Sequence, residues 1–248
     1  MQLARRRSGW IGHAEPLISV IIPTHNRCEL LLERALPSVL EQTHKNMQVI
    51  VADHGSTDNT VDKLLSAFGQ DSRINTFGVR RTQTYPPTAE NHWLVGPVAP
   101  LNIALRYVLG DWIARIDDDD VWTPDHLEKL LEFAEAGDYE FVSSAHRTHE
   151  GAVDPYWDEA HTTRIGGVQT WLYRSYLKFM KYNPDCWRKA WNRVNDTDLQ
   201  DRMFRAGVRM GYLDLVTAYV YPRPGETEVG SKAYLEDTIK KERELSFS

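Results

Sequence analysis

The sequence predicts an α/β fold with a mainly parallel central sheet, because short apolar runs alternate with helical stretches along its first half. Residues 17–22 are a β-branched apolar run, residues 29–42 have the Leu- and Glu-rich composition of a helix, and residues 47–52 are a second apolar run. Strands that are joined through helices in this way lie parallel, with the helices packed on the faces of the sheet.

The alternation continues as far as an acidic run near the middle of the chain. Ser56, Thr57 and Asp58 offer capping side chains for a further helix, which Gly69 ends. The elements expected here are a helix over residues 61–68, a short strand over 74–79, a helix over 98–109 and a buried strand over 112–116.

The second half is less regular and is expected to continue the same sheet. Thr123, Pro124 and Asp125 are typical of a helix start, and residues 141–144 are a candidate strand. The expected organisation is a tail over residues 1–16, a first half over 17–122, and a second half over 123–248 that ends in a charged helix over about residues 231–245.

Composition and charge exclude several classes of protein. A chain of 248 residues with 42% apolar content can bury a substantial core, and its net charge of −6 disfavours nucleic-acid binding. No stretch approaches the roughly 20 apolar residues of a membrane span. Cys28 and Cys186 match no metal-ligand spacing and are interpreted as free thiols of a reducing compartment. We therefore expect a cytoplasmic protein, free or peripheral at the inner membrane surface.

Three polar clusters, at residues 23–27, 53–56 and 117–120, each follow a predicted strand directly. Ligands of parallel sheets lie beyond the carboxyl ends of the strands, so one cleft should gather all three clusters. The third cluster is four consecutive aspartates, and neighbouring carboxyls resist ionising together. Mg²⁺ or Mn²⁺ held by one or two carboxylates and by substrate phosphates removes this repulsion. The position of the run thus favours a metal and nucleotide-diphosphate site over a solvated acidic turn or a calcium cage.

The clusters also carry a resemblance to a known family. Residues 18–27, 53–60 and 110–120, in this order and spacing, resemble glycosyltransferase family 2. The similarity is dense over about residues 17–135 and thinner beyond, where the segment from Asn195 to Arg202 is similar to a late acidic motif. The resemblance implies a GT-A fold, a nucleotide-sugar donor, a divalent cation, a hydroxyl acceptor on a glycan or small molecule, and inversion at the anomeric carbon. It makes residues 17–122 the donor-binding half and 123–248 the acceptor-binding half.

Carried over by position, the resemblance assigns roles to single residues. Asp119 would bind Mn²⁺ or Mg²⁺, and Asp117 would support the cation directly or through water. Asp53 would lie beside the base and Asp118 near the ribose. The other donor-binding positions are Pro23, Thr24, His25, Arg27, His54 and Asn102.

An inverting transfer needs a base that takes the proton of the acceptor hydroxyl. Asp196 is the candidate that the resemblance gives, and Asp198 is the substitute. A purely structural alternative is that Asn195, Asp196 or Asp198 caps the helix expected over residues 198–206. The two roles are compatible, because a cap would fix the carboxylate near a helix N-terminus.

One departure from the family pattern bears on the donor. His54 stands where the family commonly has a second acid, so the choice among UDP-, GDP- and dTDP-sugars stays open. For the acceptor, Trp157 and Trp171 are the candidate stacking rings, whereas Trp187 and Trp191 are expected in the core. Arg223 lies in a Pro-rich segment that either closes on the donor diphosphate or forms a surface turn.

Two other functions compete with glycosyl transfer. A sugar-1-phosphate nucleotidyltransferase also uses metal-binding acids, but it needs a Gly-rich basic loop near the first strand, and residues 23–27 contain no glycine. A catalytically silent nucleotide- or carbohydrate-binding domain would keep the fold without turnover. A P-loop kinase and a dinucleotide dehydrogenase are excluded, because neither glycine motif follows the first strand.

Overall fold

The computed structural model describes residues 15–81, 84–153, 164–188 and 194–229. Its strands join into one sheet. They are β1 (Ile18–Thr24), β2 (Met47–Asp53), β3 (Ile74–Gly78), β4 (Trp112–Arg115), β5 (Asp120–Trp122), β6 (Phe141–Thr148), β7 (Gly151–Val153), β8 (Leu172–Arg174) and β9 (Met210–Val220). The strand order is β3-β2-β1-β4-β8-β6-β9-β5, and β7 pairs with β6.

Helices connect the strands and cover the sheet. They are α1 (Cys28–Leu30), which continues through a π-helical segment (Leu31–Ala35) into α2 (Leu36–Leu40), then α3 (Thr60–Phe68), α4 (Ala89–Val95), α5 (Val98–Ala104), α6 (His126–Ala136) and α7 (Asn195–Arg205). Two short 3-10 helices, Val168–Thr170 and Ser175–Phe179, flank β8. No helix in this described part of the chain is both long and apolar enough to cross a bilayer.

The first four strands in the sheet order are parallel, as the alternation of apolar runs and helices predicts. Every residue of β1 and of β2 is buried, and their register runs without a break from Ile18 opposite Met47 to Thr24 opposite Asp53. β3 and β4 join the outer sides of this pair, also in parallel. Both faces of β1, β2 and β4 are covered, which explains why their sequences are mainly apolar runs, whereas β3 at the edge is only partly buried.

Two hydrophobic cores lie on the opposite faces of the sheet. Val20 and Ile22 of β1 pack into one core, whereas Ile21 packs into the other, as the side-chain period of a strand requires. The first core includes buried residues of α2 and α6, and the second includes buried residues of α5 and α7. The fold is therefore a three-layer α/β arrangement, which confirms the predicted fold class.

The second half differs more from the sequence expectation. β8 is antiparallel to β4 and to β6, β6 and β9 are parallel, and β5 and β7 are antiparallel to their partners. β9 and α4 were not predicted. β9 lacks a regular alternation of buried and exposed residues, and its register with β6 shifts on both sides of Ala145. Such a bulge breaks the period of two that marks a strand in a sequence.

Several helix boundaries also differ. The helix expected over residues 98–109 ends at Ala104, since the chain then turns tightly through Arg106 and Tyr107. The helix expected from residue 198 begins at Asn195. The helix expected over 231–245 and nearly all of the tail over residues 1–16 lie outside the described residues.

Candidate active site

A cleft of about 600 Å³ opens at the carboxyl ends of β1, β2 and β4. Because parallel strands end at the same edge of the sheet, the residues that follow them meet there. Further walls come from α4, α7 and the segment after β9. The expected site residues that line the cleft are Pro23, Thr24, His25, Arg27, His54, Asp117, Asp118, Asp119 and Asp196.

Asp118 and Asp119 share one arginine. Nη1 of Arg27 lies 3.0 Å from Oδ1 of Asp118 and 3.4 Å from Oδ2 of Asp119. The hydroxyl of Thr24 donates to Oδ2 of Asp118 at 2.8 Å, which ties the end of β1 to the acidic run. Nε of Arg223 lies 4.0 Å from Asp119 and 2.6 Å from Glu226. Arg223 therefore belongs to the cleft, although the sequence left a surface turn as an equal alternative.

Burial makes the carboxyls of the acidic run harder to ionise than exposed aspartates. Burial raises the pKa of Asp118 to about 7, against the opposing charge of Arg27. Burial also raises the pKa of Asp119, and raises that of Asp120 well above its usual value, with neighbouring acids adding to both shifts. A divalent cation would relieve this repulsion.

The donor set of the cleft fits a hard cation. Asp117 and Asp119 offer carboxylate oxygens, which Mg²⁺ and Mn²⁺ prefer. Within the described ranges, no group of three His, Cys, Asp or Glu side chains could hold a metal alone. The ion would thus take its remaining ligands from phosphates and water, as Mg²⁺ commonly does.

Asp196 reaches the same cleft from the first turn of α7. Burial raises the pKa of its carboxyl, whereas the charge of Arg115 and a hydrogen bond from the backbone N–H of Thr197 lower it. Asp198 instead accepts a hydrogen bond from Nε of Arg202 at 2.8 Å and does not line the cleft. The N-cap residue is Val194, so none of the three proposed capping residues caps this helix.

The sequence model described as Glycosyl transferase family 2 matches residues 19–85 and 88–204. This chain belongs to glycosyltransferase family 2. The match covers both the donor-side motifs and the segment that carries Asp196, so the resemblance seen in the motifs is confirmed.

The similarity to curated relatives spans only part of the length of each relative. One is the UDP-Glc:alpha-D-GlcNAc-diphosphoundecaprenol beta-1,3-glucosyltransferase of Escherichia coli, which is 34% identical over 115 residues, or 46% of this chain and 40% of that protein. The curated relatives are covered over only 11 to 42% of their length.

Solved structures with a similar fold are more distant in sequence. Residues 1–349 of Staphylococcus aureus TarS, in complex with UDP-GlcNAc, superpose with a TM-score of 0.64 at 19% identity, covering 84% of this chain and 59% of that one. The mannosyltransferase PcManGT of Pyrobaculum calidifontis, in complex with GDP-Man and Mn²⁺, gives 0.65 at 18% identity, covering 90% and 64%. These similarities show the fold alone, and they confirm GT-A.

Two of the residues expected to bind the donor, Asp53 and Asn102, do not line the cleft. The buried carboxylate of Asp53 accepts the backbone N–H of Ser56 at 3.1 Å and holds the turn after β2, so His54 lines the cleft in its place. Asn102 does not line the cleft. Its side chain pairs with the backbone of Tyr182, donating to the carbonyl at 2.8 Å and accepting the N–H at 2.9 Å, which contradicts the expected donor contact.

The prediction that the Trp171 ring stacks on the acceptor was wrong. Its side chain is 1% exposed, packs edge-on against Phe141, and donates Nε1–H to the carbonyl of Gly166 at 2.9 Å. A ring without an exposed face cannot stack on a sugar. Trp157 lies outside the described residues. Aromatic rings that do line the cleft are Trp93 of α4 and Tyr221 after β9.

Sequence reasoning missed several cleft residues, of which Arg115 is the most informative. It is the last residue of β4 and is 4% exposed. A charge inside an apolar strand was the signal, because a buried guanidinium needs a buried partner. α4 carried a weaker signal: the hydroxyl of Thr88 accepts the N–H of Asn91, a helix cap directly after two prolines.

Proposed function

We propose that this chain is a metal-dependent inverting glycosyltransferase that moves a sugar from a nucleotide-diphosphate donor to a hydroxyl of a glycan or glycoconjugate. The observation that carries the proposal is that Asp117, Asp119 and Asp196 line one cleft with residues from the end of β1. Carboxylates that can bind a cation and a carboxylate that can take a proton thereby lie in one cleft, which is large enough for a substrate. Membership of glycosyltransferase family 2 supports the same assignment.

The nucleoside of the donor is assigned to the wall formed by Pro23, His25 and His54. Burial lowers the pKa of both imidazoles, so both are neutral at pH 7, and a neutral ring can accept a hydrogen bond from a base N–H. The names of similar proteins mention UDP-Glc, UDP-GlcNAc and GDP-Man. We accordingly propose a UDP-, GDP- or dTDP-sugar as the donor.

The diphosphate is assigned to the acidic run and its arginines. Asp119, supported by Asp117, would hold Mn²⁺ or Mg²⁺, and the cation would neutralise charge that develops on the leaving diphosphate. Arg27 and Arg223 both contact Asp119 and can donate to phosphate oxygens from the same side of the cleft.

The proton transfer is assigned to Asp196. Its carboxylate accepts the proton of the acceptor hydroxyl while that oxygen forms a bond to the anomeric carbon. The bond from the anomeric carbon to the diphosphate oxygen breaks with its electron pair on the leaving group, and the anomeric configuration inverts. Burial raises the pKa of Asp196 and makes it a stronger base than an exposed aspartate.

The division of labour between residues 17–122 for the donor and 123–248 for the acceptor is part of the same proposal. So is a cytoplasmic location, in keeping with Cys28 and Cys186, which are both free and buried.

A screen of nucleotide sugars tests the function. UDP-glucose, UDP-N-acetylglucosamine, GDP-mannose and dTDP-glucose are each added with and without Mn²⁺, and thermal stabilisation and nucleotide release are measured. We expect one donor to stabilise the protein and to release nucleotide only with the metal. Binding without release would indicate a silent binding domain, and binding that is equal without metal would contradict the role of the acidic run.

The variant Asp119→Asn tests the proposed metal-binding role of Asp119. The variant should lose Mn²⁺-dependent binding of the corresponding nucleotide diphosphate by about 100-fold or more in a calorimetric titration, because mutating even a residue that only supports a metal ligand typically costs about 10- to 100-fold in metal affinity. Asp71→Asn is the matched control, since Asp71 pairs with Arg73 at 2.7 Å and does not line the cleft. Equal affinity of wild type and Asp119→Asn would remove Asp119 from the metal site.

A further inference from the structure

Three strands of the second half present one face of the sheet to the cleft. His146 and Thr148 are two residues apart on β6, so their side chains share a face. Val153 of β7 pairs with His146, and Val220 of β9 pairs with Thr148, and directly paired residues point to the same side of a sheet. All four residues are partly exposed and line the cleft. They form what we call the strand patch.

The turn that precedes β8 is also part of the cleft wall. The N–H of Gly166 donates to the Ser143 hydroxyl at 2.9 Å, and Nε1–H of Trp122 donates to the Gln169 carbonyl at 2.7 Å. These partners hold the backbone of the turn against the sheet. Gly167 and Gln169 of the turn line the cleft.

Gly167 lies where this turn meets the strand patch. A Cβ atom on Gly167 would lie 2.7 Å from Oε1 and 2.9 Å from Nε2 of Gln169, and 3.0 Å from Cε1 of His146. Two polar side chains therefore converge on the space that the glycine leaves open. Nδ1 of His146 is buried and has no hydrogen-bond partner among the described residues, which leaves Nε2 as the ring nitrogen that can bind a ligand.

The charge of this region favours a neutral ligand. Neither the strand patch nor the turn contains Asp, Glu, Lys or Arg. Burial lowers the pKa of His146, so its ring is neutral at pH 7. Acids border the region, because Val220 pairs with Asp120 of the acidic run and Asp196 lines the same cleft. A ligand with a negative charge would be repelled here.

We propose that the strand patch, Gly167 and Gln169 form the acceptor subsite, and that this subsite binds an uncharged sugar ring. The inference rests on the proposed function, in which the acceptor supplies the attacking hydroxyl. His146 and Gln169 form hydrogen bonds with hydroxyls of the ring, and Val153 and Val220 contact its C–H groups. Gly167 leaves the space that the ring occupies.

Binding of simple glycosides tests the subsite without turnover. Methyl β-D-glucopyranoside, methyl β-D-galactopyranoside, methyl N-acetyl-β-D-glucosaminide and the anionic methyl β-D-glucuronide are titrated into the whole chain, with Mn²⁺ and either UDP or GDP present. Saturation-transfer NMR gives the Kd of each. We expect at least one neutral glycoside to bind, and the glucuronide to bind about tenfold more weakly or not at all, because of the bordering acids.

Gly167→Ala should raise the Kd of the bound glycoside by about tenfold, because the added methyl displaces the two polar side chains that hold the hydroxyls. The backbone of Gly167, at φ −57° and ψ 156°, accommodates alanine, so thermal unfolding should be close to wild type.

Gly78→Ala is the matched control. A Cβ atom on Gly78 meets no described atom within 4 Å, and Gly78 does not line the cleft. Its Kd should stay within about twofold of wild type. If Gly167→Ala does not fold, Gln169→Leu takes its place. This variant keeps the carbonyl that Trp122 holds but loses the amide, and its Kd should also rise by about tenfold.

The outcomes separate the two proposals. An unchanged Kd in Gly167→Ala, or in Gln169→Leu where that variant replaces it, overturns the inference. So does a glucuronide that binds as tightly as the neutral glycosides, or nucleotide release by a wild-type protein that binds none of them. Glycoside binding by a protein that releases no nucleotide from any donor contradicts the proposed function alone, because the subsite would then belong to a silent carbohydrate-binding domain.

Discussion

The two halves of the sheet place their cleft residues in different ways. In the first half, parallel strands with unbroken register deliver Pro23, His54 and Asp117 directly at their carboxyl ends. In the second half, pairing is mixed and bulged, and Asp196 and Arg223 arrive on a helix and on the segment after β9. Cleft positions in the first half thus follow from local sequence, whereas those in the second half depend on how distant segments pack.

The prediction with the largest expected effect concerns Asp196 as the base. Asp196→Asn keeps the shape of the side chain but cannot take a proton, and we expect kcat to fall by about 10²- to 10⁴-fold, the usual range for general-base catalysis. Nucleotide release with each donor, with Mn²⁺ present, measures it. Donor binding by calorimetry should remain close to wild type.

Asp198→Asn is the matched comparison on the same helical turn. Asp198 pairs with Arg202 at 2.8 Å and faces away from the cleft, so turnover should be retained. The loss of this partly exposed pair should cost about 0.5 kcal/mol of stability or less. Normal turnover in both variants would exclude both residues as the base, whereas loss of turnover in Asp198→Asn with normal turnover in Asp196→Asn would exchange their roles.

The second prediction compares two tryptophans that sequence patterns do not distinguish. Trp171→Ala should lower the free energy of unfolding by about 3–5 kcal/mol, because it opens a cavity in a closed core and leaves the Gly166 carbonyl without its donor. Trp93→Ala removes a ring that lines the cleft and should cost about 1 kcal/mol or less. Urea denaturation measures both, and equal losses would contradict the assignment of Trp171 to the core.

The sequence was informative where residues directly follow parallel strands, because such strands end at the same edge of the sheet. The strand ends bearing Thr24 and Asp118 could be predicted to meet, and a hydrogen bond between these side chains joins them. Asn102 could not be placed in the same way. Its position matched a family motif, but the direction of its side chain depends on Tyr182, a residue far along the chain. A motif fixes a backbone position more reliably than a side-chain partner.

Arg115 shows that a sequence can indicate a buried charge without identifying its partner. The sequence shows a charge inside an apolar strand, which is unusual enough to predict a buried partner. The sequence does not show which of the four aspartates after β4 pairs with it, and in the fold the partner is Asp117. The bulged register of β6 with β9 is likewise encoded in no local pattern, and it concealed the last strand.

The prediction with the smallest expected effect concerns His126, whose buried polar contact joins elements of the second half. Nδ1 of His126 lies 2.7 Å from the Thr217 hydroxyl, which in turn contacts Ser144, and the His126 ring stacks on Trp122 at 4.1 Å. These contacts join α6 to β5, β6 and β9. Burial lowers the pKa of His126 from 6.5 to about 3. At pH values between these limits the unfolded chain binds a proton there that the folded protein excludes.

Stability should therefore be complete above pH 6.5 and should fall as the pH decreases toward 3, by about 1.4 kcal/mol per pH unit from this residue. His126→Phe keeps the stacked ring but does not titrate, and Thr217 retains Ser144 as a partner. Between pH 7 and pH 5 the variant should lose about 2 kcal/mol less unfolding free energy than wild type in urea titrations. Other buried histidines titrate equally in both proteins, so the difference isolates His126. Parallel pH profiles would show that this contact is not what makes the second half sensitive to acid.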